Sequence, residues 1–267
     1  MGETVDVRKE GGVARVVMHR KGNNSIAPDL TGELRAAFEA LGKDPEARVV
    51  VLASEYERYF SVGADLTAMG GSVDRDAPDA EDRMTEMISG LARDFAAIEA
   101  CPKPVIAAIN GHALGGGCEL ALCCDYRIMV EDGRSKIGQS ETALGIIPGA
   151  GGTQRLPRLI GKARALPMIL ESTRLSAREA EAVGLVNQAV EPGGLDAAVD
   201  ELAGRLAKAA TYALGLAKDA INRGLDLPLE EAMKIEARNF AKASLSEDAV
   251  IGVIGFLQKQ EAEFKGR

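Results

Sequence analysis

The chain has no tryptophan and only two histidines, His19 and His112, in 267 residues. A histidine-rich zinc site is thereby excluded, and no metal is called for. Without indole rings the chain is also a poor surface for stacking sugars. The four cysteines, Cys101, Cys118, Cys123 and Cys124, contain no CxxC pair, and the adjacent Cys123-Cys124 makes a poor disulfide frame. Buried free thiols in a reducing cytoplasm are the reading. No apolar run reaches membrane-spanning length. The opening Met1-Gly2-Glu3-Thr4-Val5-Asp6 has no basic n-region followed by an apolar stretch, which predicts a cytoplasmic protein without a secretory signal. Positive charge is in short supply: 32 basic residues against 40 acidic give a net charge of −8. Nonspecific nucleic-acid binding needs a concentrated positive surface and is disfavoured. An anionic ligand would have to rely on local Arg or Lys and on backbone N–H groups.

Several catalytic signatures are missing too. The phosphate loop GxxxxGK[ST] is absent, since Gly161-Lys162 lacks both its earlier glycine and its following Ser/Thr. A dinucleotide GxGxxG fails at Leu120, and there is no GxSxG elbow.

What is present is an alternation of short β-branched runs with helical patterns over the first two thirds. Val13 to Met18, Arg48 to Ala53, Val105 to Asn110, Tyr126 to Val130 and Leu185 to Val190 read as strands. A helix from about Pro28 to Leu41 ends at Gly42. Such alternation predicts an α/β arrangement with helices covering the strands. Met84, Met87, Ile88, Leu91, Phe95 and Ile98 recur at helical spacing and read as core. The Gly/Asp-rich break from Gly70 to Pro78 reads as a mobile loop at a ligand mouth. From Leu195 onward the pattern is wholly helical, with segments 195–209, 213–224, 229–243 and 248–264. This predicts a core domain over 1–194 and a helical region over 195–267.

Three glycine-rich segments carry the chemistry. Gly115-Gly116-Gly117-Cys118-Glu119 follows an apolar strand and opens an Ala/Leu-rich helix. Glycine there lets a ligand approach the backbone, and free N–H groups at a helix start favour negative charge. Gly63-Ala64-Asp65 offers a second N–H donor, as an oxyanion hole requires. Gly138-Gln139-Ser140-Glu141 runs into Leu144-Gly145-Ile146-Ile147-Pro148-Gly149-Ala150-Gly151-Gly152. Each segment read alone is equally a structural turn, and Glu119 alone is equally a first-turn acid facing the helix dipole. Glu119 and Glu141 together suit paired acid–base work, because neighbouring carboxylates and nearby N–H donors push their proton affinities apart. Two acids also suit glycoside hydrolysis, which leaves the glycine segments unexplained.

In this order the segments resemble the enoyl-CoA hydratase/isomerase (crotonase) family over nearly the whole chain. The resemblance rests on Arg20-Lys21-Gly22-Asn23-Asn24-Ser25-Ile26, on Phe60 to Leu66, on Gly115 to Glu119, on Gly138 to Arg155 and on Ala180 to Val186. It implies a superhelix of repeated ββα units with a C-terminal helical trimerisation region, as a homotrimer or a hexamer of two trimers. It implies Ala64 and Gly116 as the oxyanion donors, Glu119 and Glu141 as the catalytic pair, and Gly149 as a glycine that places water. Asp65, Leu66, Arg20, Lys21 and Lys259 become substrate-binding candidates toward coenzyme A. The implied reaction is hydration of a trans-2-enoyl-CoA to a 3-hydroxyacyl-CoA. No cofactor is implied, because coenzyme A enters as part of the substrate thioester. The alternatives are another acyl-CoA reaction of the family, as isomerase or specialised lyase, or a non-catalytic acyl-CoA-binding subunit. The chain departs from the family at Thr67, where many relatives have lysine, and at Ser140, commonly proline. It departs again at Ala249-Val250-Ile251-Gly252, where an acidic Glu-Gly is usual.

Overall fold

A computed structural model of the chain describes residues 2–67, 74 and 76–267. The break from Gly70 to Pro78 lies for the most part outside them. The largest element is a six-stranded sheet built from β1 (Val5–Glu10), β2 (Val13–Met18), β3 (Val49–Ser54), β5 (Val105–Ile109), β7 (Tyr126–Val130) and β9 (Gln188–Val190). The strands lie in that order; β1 pairs antiparallel with β2 and every other pairing is parallel.

The strand period explains why the central runs are apolar throughout. Successive side chains point to opposite faces, so a strand covered on both sides is apolar at every position. In β3, Val50 and Leu52 enter one core cluster while Val49 and Val51 enter another. In β5 the same division places Val105, Ala107 and Ile109 on one face and Ile106 and Ala108 on the other. Two helices, α1 (Pro28–Lys43) and α2 (Ala80–Glu99), contribute to the first cluster. Pro28 presets the first turn of α1, and Leu30, Leu34, Phe38 and Leu41 form its buried stripe. The second face is covered by α7 (Leu195–Lys208), through Leu195, Val199, Ala203 and Ala207 at four-residue spacing. The first helix after residue 195 is therefore a layer of the sheet.

A second sheet positions the site. The three-residue strands β4 (Tyr59–Ser61) and β6 (His112–Leu114) and the two-residue β8 (Ile137–Gly138) pair in parallel, in the order β4-β6-β8. Each follows a strand of the large sheet: β4 after β3, β6 after β5 and β8 after β7. The three glycine-rich segments leave the same end of this small sheet, and that repetition brings them together. α3 (Gly116–Leu122) follows β6, and a 3-10 turn (Glu141–Leu144) follows β8. Beyond it come α4 (Gly152–Ile160), α5 (Lys162–Leu170) and α6 (Ala177–Ala182).

The chain closes with α8 (Thr211–Gly224), α9 (Leu229–Ser244) and α10 (Glu247–Gln258). The helix expected over 248–264 stops at Gln258, because Lys259 adopts φ 56° and the chain reverses. The returning tail is fastened to α10 by Asp248, which accepts from the N–H of Gly266 at 2.8 Å. Arg48, just before β3, donates to the Phe264 carbonyl at 3.1 Å and to the Ala209 carbonyl at 3.0 Å.

Candidate active site

Ile26 opens the site by pairing with Ala64 in a one-residue parallel bridge. Its N–H donates to the Gly63 carbonyl at 2.7 Å, and its carbonyl accepts from Asp65 N–H at 2.9 Å. In that pattern the N–H of Ala64 itself points away from Ile26. Gly63 makes the turn with φ 91°, and a Cβ there would lie 2.8 Å from the Leu114 carbonyl oxygen. Gly116 is the first residue of α3, where an N–H has no intrahelical acceptor. A Cβ on Gly116 would stand 3.7 Å from the Ala64 nitrogen, so its absence leaves open the space that both groups border. Neither N–H has a hydrogen-bond acceptor among the described residues.

Glu119 lies one turn into α3 and is 3% exposed. Its Oε1 accepts from the N–H groups of Ala150 at 2.8 Å and Gly152 at 2.7 Å. The carboxylate is thus held by the start of α4, and the reading of a mere first-turn acid on its own helix is set aside. Burial pushes its pKa up to about 7, and the charge of Glu141 adds to the rise. The Gly152 and Ala150 N–H groups and the Arg155 charge oppose it.

Glu141 stands at the head of the 3-10 turn, half-buried, with its pKa raised by burial. Its Oε2 accepts from the Ser140 N–H at 2.7 Å. Proline at 140 would have no such donor. Its Oε1 lies 2.8 Å from where a Cβ on Gly115 would sit, and Gly115 has φ 54°. The second carboxylate therefore rests directly over the turn that presents Gly116. Gln139 is fully buried, and the amide orientation that satisfies its surroundings points nitrogen at Glu141, 3.2 Å from Oε2 and 3.3 Å from Oε1.

Gly149 lies beside α2, where a Cβ would meet Ile88 Cγ2 at 3.0 Å. It is the following residues, Ala150 and Gly152, that bond to Glu119. The helical stripe read as core is split accordingly. Phe95 and Ile98 are buried, whereas Met84, Met87 and Ile88 are half-buried. Arg155, which sequence reading left unassigned, ties the arrangement down. Its Nη1 donates to the Ala150 carbonyl at 2.9 Å, while Nε and Nη2 grip Glu99 Oε2 at 3.1 and 2.7 Å.

The remaining predicted residues fall in two groups. Arg20 donates to both oxygens of Asp29 at 2.9 and 2.8 Å, to Ser25 Oγ at 2.6 Å and to Asp65 Oδ2 at 3.0 Å. That network joins the N-terminal motif to the Ala64 segment. Asp65 also accepts from the Thr67 N–H at 3.2 Å. Leu66, Lys21 and Lys259 lie exposed, and neither lysine bonds to Glu119 or Glu141.

A large, mostly parallel sheet and a small parallel one, whose glycine-rich exits bring two glutamates together beside two unengaged N–H groups, define a crotonase-like fold. The chain belongs to the enoyl-CoA hydratase/isomerase family, whose profile matches residues 8–267. It is 38% identical over 263 residues to the crotonyl-CoA hydratase of Syntrophomonas wolfei, covering 98% of each chain. It is 37% identical over 265 residues to the short-chain-enoyl-CoA hydratase of Clostridium acetobutylicum, again covering 98% of each. Among solved structures, the enoyl-CoA hydratase of Bacillus anthracis superposes with a TM-score of 0.90 at 35% identity, over 99% of this chain and all of that one.

Proposed function

We propose that this chain is an enoyl-CoA hydratase acting on short trans-2-enoyl thioesters. The observation that carries the reading is that Glu141 Oε1 lies over Gly115, next to the space bordered by Ala64 and Gly116, while Glu119 is buried on the helix that Gly116 opens. The thioester carbonyl oxygen accepts from those two N–H groups, which draws electron density from the conjugated double bond. Water adds its oxygen to C3 and gives a proton to Glu119. Enolate charge builds on the carbonyl oxygen, where each N–H is worth ~3–4 kcal/mol of barrier. Glu141 delivers a proton to C2, exchange with solvent then removes the proton from Glu119 and restores one to Glu141, and one water has been added in sum. Gly149 helps place the water, and Lys21, Lys259 and Leu66 meet the coenzyme A portion. Arg20 and Asp65 serve that portion by holding the Ala64 segment in place. The reaction so written uses no cofactor beyond the coenzyme A of its own substrate.

The short chain length follows the two hydratases named above and is tested directly. Purified protein with crotonyl-CoA should bleach the enoyl-thioester absorbance and yield 3-hydroxybutyryl-CoA, faster than a long-chain enoyl-CoA is hydrated. No hydration of either thioester would remove the assignment. A homotrimer or a hexamer of two trimers is the assembly we assign, supported by apolar side chains left on the surface of α8, α9 and α10. The cytoplasm is the proposed location, supported by four buried, unpaired thiols. No helix among the described residues is long and apolar enough to cross a membrane.

A further inference from the structure

The turn carrying Glu141 is held from outside by a residue in an unfavourable conformation. Ser172 follows the end of α5 with φ 52°, in the left-handed region that helix ends usually give to glycine. A serine there is sterically costly, and it persists only where something else fixes it. Its hydroxyl supplies the reason. Ser172 Oγ accepts from the N–H of Ala143 at 3.2 Å and lies 2.9 Å from Thr142 Oγ1. Thr142 and Ala143 are the two residues directly after Glu141 on its 3-10 turn.

Proton accounting gives the direction of each bond. Thr142 Oγ1 donates its single proton to the Ile169 carbonyl at 2.5 Å, one of the last carbonyls of α5, which lack helical partners. A hydroxyl has one proton to give, so the short contact between the two hydroxyls must be donated by Ser172. The result is a directed chain: Ala143 N–H to Ser172 Oγ, Ser172 O–H to Thr142 Oγ1, and Thr142 O–H to the Ile169 carbonyl. The carboxylate is fastened to the same turn, because Ser140 N–H holds Glu141 Oε2 at 2.7 Å. Wherever the end of α5 sets this turn, the Glu141 carboxylate follows.

We propose that Ser172 is a positioning residue for the hydration step. Its hydroxyl, through Thr142 and Ala143, fixes the turn that aims Glu141 at the α-carbon of the bound thioester. The inference rests on the role given to Glu141 above, and it goes beyond that role in naming what aims the acid. A purely structural serine would lose rate only in step with stability, whereas a positioning serine separates the two.

Ser172→Gly makes that separation, because glycine accepts φ 52° and deletes only the hydroxyl. The experiment compares crotonyl-CoA hydration and thermal melting for wild type, Ser172→Gly, Ser172→Ala, Thr142→Val, and Glu141→Gln as reference. Ser172→Gly should melt at or above the wild-type temperature, yet lose about three- to tenfold in kcat with KM nearly unchanged, as loss of one aiming hydrogen-bond chain implies. Thr142→Val should lose a similar factor, and the double variant Ser172→Gly/Thr142→Val should be no slower than the slower single, since both cut one chain. Ser172→Ala should lose the same rate and melt lower, as it keeps the strain without the bond. A full rate in Ser172→Gly, or losses that add in the double variant, overturns the inference alone while Glu141→Gln stays inactive. No hydration by wild type, or a full rate in Glu141→Gln, overturns the role of Glu141 and this inference with it.

Discussion

The sheet-built half and the closing helices α8 to α10 treat their apolar residues in opposite ways. Behind the small sheet, all seven residues of α3 are buried, including the charged Glu119. In α10 only Asp248 and Gly255 are buried, while Phe256 and Leu257 stand 85% and 73% exposed. Leu245, just before it, is 89% exposed, and a groove of about 570 Å³ between α8 and α9 is lined by Leu216, Ile221, Leu229, Met233 and Phe240. Contiguous apolar surface of this kind marks an interface. The second region is where the proposed contact between copies is placed.

That contrast can be broken by experiment, beginning with the largest effect. Glu119→Gln and Glu141→Gln should each lower kcat by about 10²–10⁴, the range of general acid–base contributions, with no fall in melting temperature beyond a few degrees. Steady-state rates beside thermal melts check this. A glutamine oxygen can still accept from both Ala150 and Gly152 N–H, so the position of side chain 119 is conserved.

The next effect lies in stability and depends on pH. Glu119 has a folded pKa of about 7 against an ordinary 4.5, so the folded state binds its proton more tightly than the unfolded chain does. Its contribution is therefore fully present below about pH 4.5 and is lost as pH rises through 7. Above pH 7 the buried charge costs on the order of 3 kcal/mol. Glu119→Gln should then be little different from wild type in denaturant melts near pH 4.5 and more stable near pH 8. An equal difference at both pH values would refute the assignment.

A smaller loss is expected for Gly117→Ala, where the new Cβ would lie 2.2 Å from the Ser61 carbonyl oxygen. The backbone of β4 must shift, which costs about 1–3 kcal/mol, readable in urea unfolding. The smallest effect on the fold belongs to Phe256→Ser, within about 0.5 kcal/mol for an exposed position of one chain. Its mass in sedimentation should nevertheless fall toward that of the single chain. Unchanged mass would show that the exposed face of α10 is not where copies meet.

The same contrast governs what the sequence made legible. Strands β3 and β5 were readable because burial on both faces makes them apolar runs, and β2 and β7 because a single arginine, Arg15 or Arg127, interrupts an otherwise apolar or aromatic run. Strand β1 was not, since four of its six residues are exposed and carry no period. The strands β4, β6 and β8, two or three residues each, are too short to show periodicity, and their glycine-rich exits were the visible trace. Both glutamates could be singled out because each sits on such an exit. Their partners could not, because Ala150, Gly152 and Ser140 act through backbone N–H groups that any residue but proline has. Arg20 was legible as a basic residue beside a ligand motif, but its partners Asp29 and Asp65 are visible only in three dimensions. The end of α10 was overrun because helix-forming Gln, Lys, Glu and Ala continue from 258 to 263, before Phe264, which folds back against Gly252.

The adjacency of β4 and β6 has a metrical consequence. Neighbouring strands lie about 4.8 Å apart, and Ala64 and Gly116 leave the ends of two that pair directly. Two N–H donors each about 2.9 Å from one oxygen, converging at roughly 110°, need their nitrogens about 4.8 Å apart. The gauge that the proposed oxyanion hole requires is thus the repeat of a β-sheet, a length set by the peptide unit itself. Side chains that would line the acyl group can vary without altering that measure.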